Sequence, residues 1–252
     1  MKIINSYKKL SQSNTNLAKK LTRNKNSKYT KMSMSNSKIS LICCMDKNGG
    51  FGKDNHLPWS LPTDYKFYLK MAEESVRICG KNTYQETFSP KDDFYEHSVV
   101  VSRSLAKEQQ LQEKENDMNS CGESDESDSD ASVNSVNSTC SFVENLSDSI
   151  SIAKSQANSK HIFFTGGKRI FEEALDKKFA DYAFITKVDG NFECDTFIDT
   201  NLLKENYVEV IDPSLELLGQ NNELSLCFLE HYKKNPHFEN GISFSFHLYK
   251  KK

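Results

Sequence analysis

The sequence predicts an α/β fold: a central, mostly parallel twisted sheet flanked by helices, with an antiparallel strand at the C-terminus. Two observations carry this expectation. Short, nearly continuous apolar runs, ISLICCM (39–45), SVRIC (75–79), HSVVVSR (97–103) and HIFFT (161–165), are separated by segments of helical pattern. Strands that are apolar on both sides read as buried on both faces, as in a parallel sheet covered by helices. The last run, GISFSFHLYKK (241–251), instead alternates Ile242, Phe244, Phe246 and Leu248 with other residues, which marks a strand with one solvated face.

The elements follow in order. Residues 1–38 hold nine lysines, one arginine and no acid. This Ser- and Asn-rich stretch has no apolar centre, so it is not a secretory signal. It reads as a basic disordered tail, or as a mitochondrial-type transit segment on an otherwise cytoplasmic protein. Its lysines suit only non-specific contact with nucleic acid. The domain is expected over 39–252. Its first strand leads into GGFGKDNHLPWSLPTD (49–64), which holds three of the ten glycines, two of the five prolines and the only tryptophan. From Pro62, a helix is expected with Tyr65, Tyr68, Leu69 and Ala72 on one face; Pro62 suits a first helical turn. SVRIC is a second strand, GKNTYQETF a tight turn into a short helix, and HSVVVSR a third strand.

From 105 to 139 the chain is polar and acidic, with CGESDESDSDASVNSVNST at its centre. It reads as a low-complexity insertion looped out of the domain, because the strand–helix rhythm resumes afterwards. Ser124, Ser127 and Ser129 sit beside acids, as a solvated spacer or a target for an acid-directed kinase would have them. SFVENLSDSISIAKSQA is expected as a helix, HIFFT as a strand, GGKRIFEEALDKK as a helix and YAFIT as a strand. ELSLCFLEHY is expected as a strand joined to the last one through an Asn240–Gly241 turn.

Two function classes are excluded on composition. No run of 18 apolar residues appears, so no membrane-spanning helix is expected. The seven cysteines form no C-x-x-C pair and no His joins them at ligand spacing. They read as small buried hydrophobes in a reducing compartment, with no metal site.

The chemistry concentrates in two places. Asp64 opens a helix with Leu61 and Tyr68 on its face, after a loop whose Leu57, Pro58 and Trp59 provide an apolar wall. Gly49, Gly50 and Gly52 are expected to let a ligand touch backbone and to form a mobile cover. Three strand ends then carry Gly80-Lys81-Asn82-Thr83, Ser102-Arg103 and Gly166-Gly167. Glycines, hydroxyls and cations at the C-terminal ends of parallel strands suit an anionic ligand with separated phosphates. The G-x-G-x-x-G fingerprint is absent.

These residues resemble the dihydrofolate reductase family. GFGKDNHLPWSLPTD is similar to its active-site loop and acid. ICGKNTY, VVVSR and FFTGGKRIFEEAL are similar to its three cofactor segments, in order, and FITKVDGNFECDTFI and the final strand also match. The likeness covers residues 39–104 and 140–252. It implies NADPH-dependent reduction of 7,8-dihydrofolate by hydride transfer from nicotinamide, by a monomer acting on a small pterin or folate, with no specific nucleic acid and no membrane. The resemblance implies that Asp64, Trp59 and Thr186 are catalytic, Asp64 assisting protonation. Ile42, Cys44, Leu57, Tyr68 and Thr186 would line the pterin pocket with Asp64. Cys44, Gly50, Phe51, Gly52 and Lys53 would meet the cofactor from the loop side. Gly80, Lys81, Asn82 and Thr83 would do so from the second strand, and Ser102 and Arg103 from the third. Gly166, Gly167, Lys168, Arg169, Ile170 and Phe171 would complete the cofactor site.

Four positions depart from the family pattern. Cys44 stands at a usual Ala, Phe171 at a usual Tyr and Tyr84 at a usual Trp. Glu96, six residues before Ser102, stands where the family places an arginine for the folate glutamate tail; Lys91 or His97 would have to substitute. Two alternatives follow: a reductase of a related pterin or of a ribosylamino-pyrimidine, or a non-catalytic cofactor-binding scaffold.

Overall fold

The computed structural model describes residues 37–73, 75–87, 95–119, 140–158, 160–217 and 223–252. Almost all of the basic N-terminal segment, residues 120–139 of the expected insertion with its three serines, and Lys91 lie outside the described residues.

The chain runs β1 (Ile39–Asp46), β2 (Gly50–Gly52), α1 (Pro62–Ala72), β3 (Val76–Gly80), α2 (Lys81–Thr87), β4 (His97–Val101), α3 (Arg103–Asn119), β5 (Cys140–Val143), α4 (Leu146–Gln156) and β6 (Ile162–Gly166). It continues with α5 (Lys168–Asp176), β7 (Tyr182–Val188), β8 (Thr196–Phe197), α6 (Thr200–Asn206), β9 (Tyr207–Glu209), α7 (Pro213–Leu217), α8 (Glu223–Tyr232), β10 (His237–Glu239) and β11 (Ile242–Lys251). The main sheet has the order β10-β11-β7-β1-β6-β3-β4-β5, with β9 on β11. Strands β7, β1, β6, β3, β4 and β5 are parallel, and β11 is antiparallel to β7. The expected α/β sheet with an antiparallel C-terminal strand is what forms.

The central strands are mostly apolar because each face is covered. Leu41, Cys43, Ile78, Ile162, Phe164 and Ile185 pack on one side against Leu146 and Ala153 of α4 and Ile170 and Ala174 of α5. Ile42, Phe163, Phe184 and Phe246 pack on the other against Phe67 and Met71 of α1 and Phe228 of α8. Alternation in β11 serves the second face: Phe244, Phe246 and Leu248 are buried there.

Several expectations are corrected. ELSLCFLEHY is the helix α8, not a strand. Its buried Ser225, Cys227 and Phe228, with Leu224, Leu229 and Tyr232 packed beside them, fit a helical period, while Leu226 points outward. The hairpin partner of β11 is β10, and the turn is at Asn240–Gly241, both at positive φ as expected. The segment after Leu105 begins as a helix rather than a looped-out chain. Its Ala, Lys, Glu, Gln and Leu are strong helix formers, Ser102 Oγ accepts from Leu105 N, and Ala106 is buried. CSFV forms the edge strand β5 rather than the start of a helix; α4 begins after Asn145, whose side chain caps it by accepting from Asp148 N at 2.9 Å. In α1 the buried side chains are Asp64, Phe67, Met71 and Ala72, and Tyr65 is exposed. Among the described cysteines, all free, Cys43, Cys79 and Cys227 are buried, whereas Cys44, Cys140 and Cys194 are only half-buried.

Candidate functional site

The site begins at the loop between β1 and α1. Asp46 Oδ1 accepts from the backbone N–H groups of Asn48 and Gly50, each at 2.8 Å, and so shapes the turn out of β1. Gly49, at φ +83°, lies so close to Ile198 that a Cβ there would come within 2.5 Å of the carbonyl oxygen. A Cβ at Gly50 would meet Cys194 at 2.7 Å, and one at Gly52 would meet Thr196 at 3.1 Å. The missing side chains therefore make room for the chain's own 194–198 segment. Lys53 pairs with Glu193 at 2.8 Å, and Asp54 and Asn55, both at positive φ, turn the chain back through a Lys53–His56 bridge. Leu57 is exposed at 53%, while Trp59 is buried edge-on against Phe192 at 5.0 Å.

Asp64 lies in the first turn of α1 and is buried at 8% exposure. Helix α1 has no side-chain cap at Leu61. Glu239 of β10 supplies the acceptor instead, taking Thr63 N at 2.9 Å, and Asn240 Nδ2 holds Ser60 O at 2.9 Å. The Asp64 carboxyl faces Cys44 of β1 and Thr186 of β7, which are register partners. Burial pushes its pKa up, and the carboxylate of Glu239 adds to that; hydrogen bonds from Thr186 and Cys44 and the proximity of His231 pull it down. Burial and Asp64 together hold the Cys44 thiol well above its ordinary range. Tyr68, a turn further along α1, bonds through its hydroxyl to that of Tyr95.

The second half of the site is the set of C-terminal strand ends of β3, β4 and β6. Lys81 Nζ donates to Ser104 Oγ at 3.4 Å, and Ser104 Oγ lies 3.2 Å from Ser102 Oγ. Gly166, at φ +128°, sits under Thr83: a Cβ there would be 3.2 Å from Thr83 Oγ1, and one on Gly167 would be 3.4 Å away. A Cβ on Gly80 would face Gly167 N at 3.7 Å. The structure thus brings Gly80, Lys81, Thr83, Ser102, Gly166 and Gly167 together. Asn82 and Arg103 stand exposed beside them. Lys168 and Arg169 are exposed on the first turn of α5, Lys168 within 3.7 Å of Glu172. Ile170 and Phe171 turn their side chains into the core instead, Phe171 edge-on to Phe51 at 5.6 Å. A lysine, hydroxyls and side-chain-free backbone at these strand ends suit the phosphates of an anionic ligand.

Sequence reasoning missed Ser104, His231, Glu239 and Tyr95. Ser104 carried a signal, being two residues past the expected Ser102. The other three reach the site only through tertiary packing. Glu96 precedes β4, at the strand-start edge, where it pairs with Lys160 at 2.6 Å. His97 is buried and its ring bonds Ser141 at 2.9 Å, so it does not stand in for the missing arginine.

Fold and site together define an α/β protein of the class that takes its ligands at the C-terminal edge of a mainly parallel sheet. A family model described as dihydrofolate reductase matches residues 38–127 and 127–233, and the chain belongs to the dihydrofolate reductase family. It is 28% identical over 174 residues to the bifunctional dihydrofolate reductase-thymidylate synthase 2 of Arabidopsis thaliana, a match covering 65% of this chain and 26% of that one. It is 24% identical over 204 residues to the dihydrofolate reductase of Bacillus subtilis, covering 81% of this chain and 99% of that one. A 26% identical match to the dihydrofolate reductase of Enterococcus faecium covers 61% and 72%. The match thus spans about a quarter of the length of the bifunctional relatives. Among the described residues, no helix is long and apolar enough to cross a membrane.

Proposed function

We propose that the chain reduces 7,8-dihydrofolate to 5,6,7,8-tetrahydrofolate with NADPH. The observation that carries this is a buried carboxyl, Asp64, hydrogen-bonded by Thr186 and Cys44, with Trp59 beside Cys44. NADPH, when bound, supplies the hydride. Lys81, Thr83, Ser102, Gly166 and Gly167 would hold it, with the cation and hydroxyls near Ser104 favouring an additional phosphate. Asp64 offers two coplanar oxygens to the amidine-like edge of a pterin, and Thr186 fixes their orientation. The raised pKa of Asp64 keeps more of the carboxyl protonated towards neutral pH, as delivery of a proton to the ring requires. Trp59, buried beside Cys44, excludes water from one side.

Glu96 favours a second reading, a related pterin without an acidic tail. An acid already bonded to Lys160 offers a tail carboxylate no free cation. One experiment addresses both. Purified protein should oxidise NADPH when given dihydrofolate, and Asp64→Asn should lower kcat by about 10²–10⁴-fold. Turnover of 7,8-dihydropterin but not dihydrofolate would select the second reading, and turnover of neither would reject both.

A further inference from the structure

We infer that the strand-start edge of the sheet carries a second ligand site, a lysine-lined cleft that takes a small organic polyphosphate. The inference does not depend on the reading above. Strands β1 and β7 begin at this edge and antiparallel β11 ends there, whereas Gly80 and Gly166 close β3 and β6 at the other. A cavity of about 710 Å³ opens at the strand starts. Ile39 and Tyr182, the first residues of β1 and β7, give it an apolar lining with Phe179 of the α5–β7 turn and Ile150 of α4. Backbone bonds hold these strand starts in place. Asp181 N donates to Ile39 O at 2.7 Å, Lys251 N to Asp181 O at 3.1 Å and Ile162 N to Lys38 O at 3.0 Å. Five lysines, Lys38, Lys154, Lys178, Lys250 and Lys251, line the same cavity. The chain as a whole has a net charge of -2, so this concentration of cations is local.

Nearby acids answer only part of this charge. Asp181, the one acid among the described lining residues, accepts from Lys251 Nζ at 2.8 Å and from Ile39 N at 3.4 Å. Glu216 of α7 pairs with Lys250 at 2.9 Å. Lys38 Nζ stands 5.9 Å from the centre of the Tyr182 ring. Among the described residues, no carboxylate pairs with Lys38, Lys154 or Lys178, and the last two are exposed. Like charges gathered around one concavity repel each other, and its low-dielectric walls focus their field on an incoming anion. A lysine ammonium is a compact charge that binds phosphate well. The three uncompensated cations come from separate elements: the approach to β1, α4 and the α5–β7 turn. That spread suits several linked anionic groups rather than one carboxylate. The apolar lining adds nothing for a bare phosphate chain, but it suits a ring or other apolar body attached to one. Small-molecule sites of about 300–1,000 Å³ combine apolar walls with a few placed polar groups in the same way.

Calorimetric titration of the full chain with ATP as the probe tests this. The Lys81→Gln variant serves as the starting protein, so that the strand-end cluster contributes little. ATP should bind it at low ionic strength, and the affinity should fall as salt is added. Adding Lys154→Gln and Lys178→Gln together should weaken ATP about tenfold or more. Both side chains are exposed and outside any ion pair, so the melting temperature should stay within about 2 °C. Arginine at both positions should keep the affinity, because the charges remain. Inorganic tripolyphosphate should bind more weakly than ATP. Absence of ATP binding, or an affinity that the two glutamines leave unchanged, overturns the inference. Tripolyphosphate that binds as tightly as ATP overturns the part assigned to the apolar lining. A single-stranded oligonucleotide that binds more tightly than ATP, and is lost with the same two lysines, overturns the small-molecule assignment in favour of nucleic acid. None of these readings uses dihydrofolate turnover, so failure of the reductase reading leaves the test intact.

Discussion

Asp64 occupies a place that costs the fold something. Its pKa is raised by burial, so the folded chain holds a proton that the unfolded chain releases. Below the carboxyl's ordinary 3.8 both states are protonated and nothing is lost. As the pH climbs above 3.8 the unfolded chain ionises first, so stability falls until the pH passes the raised folded value and then levels off. Asparagine has no such proton to lose. Melting Asp64→Asn beside the wild type across this range should show the variant gaining relative stability as pH rises, even as it loses turnover. A gap independent of pH would mean that the carboxyl is not held protonated by the fold. Asp64 was legible in the sequence because an acid directly after a Gly-, Pro- and Trp-rich loop is unusual. His231 was not, because a histidine within a mostly apolar segment gives no local sign of the distant acid it approaches in the fold. The inward turn of Ile170 and Phe171 was not legible for a related reason: a motif gives positions along the chain, whereas the helical period of α5 decides which side chains face the core, and there they still border Gly80 and Gly166.

Helix α1 shows how an element depends on a distant one. It begins with Leu61 and Pro62, which provide no acceptor for the first free N–H groups, and Glu239 of β10 fills that role at Thr63. Glu239→Ala should therefore destabilise the protein by about 1 kcal/mol, as the loss of an N-cap does. It should also lower the Asp64 pKa, since the Glu239 carboxylate now raises it. Chemical denaturation reads the first effect, and the pH dependence of turnover reads the second. Glutamine at 239 should keep part of the cap and lose the charge effect, which separates the two. The helix start at Pro62 was legible, but its cap was not, because no local pattern links residue 63 to residue 239. The α8 error has the same character. A short, mostly apolar segment satisfies strand and helix patterns alike, and burial against Phe67 of α1 settles which side chains turn inward.

At the scale of the molecule, strand directions and the covered sheet were legible because doubly buried strands are mostly apolar on both faces, with a few polar exceptions such as Ser40, Arg77 and Thr186. Strand order was not, since nothing local says that β1 lies between β6 and β7. The acidic region divides similarly. Composition marked it as polar, but helix propensity carries α3 on to Asn119 and Ala106 anchors its start. Phe142 N also donates to Gln109 Oε1 at 3.3 Å, tying α3 to β5. The part dispensable to the domain should then be residues 120–139 rather than 105–139. Replacing 120–139 with a short Gly/Ser linker should leave the melting temperature within about 2 °C, because closure entropy changes slowly with loop length. Removing 105–139 should lower it by more than that, and calorimetry of the two deletions distinguishes them.

The cap on α1 also has a bearing on biosynthesis. Strand β1 leaves the ribosome while its partners Ile162 to Phe164 and Tyr182 to Val188 are still untranslated. The helix bearing Asp64 likewise waits for Glu239, only a few codons before the β11 strand that completes the sheet. A nascent chain arrested before residue 237 would carry both halves of the site in its sequence and still lack the support that orients its acid, so competence arrives only once residues 237–251 have been made.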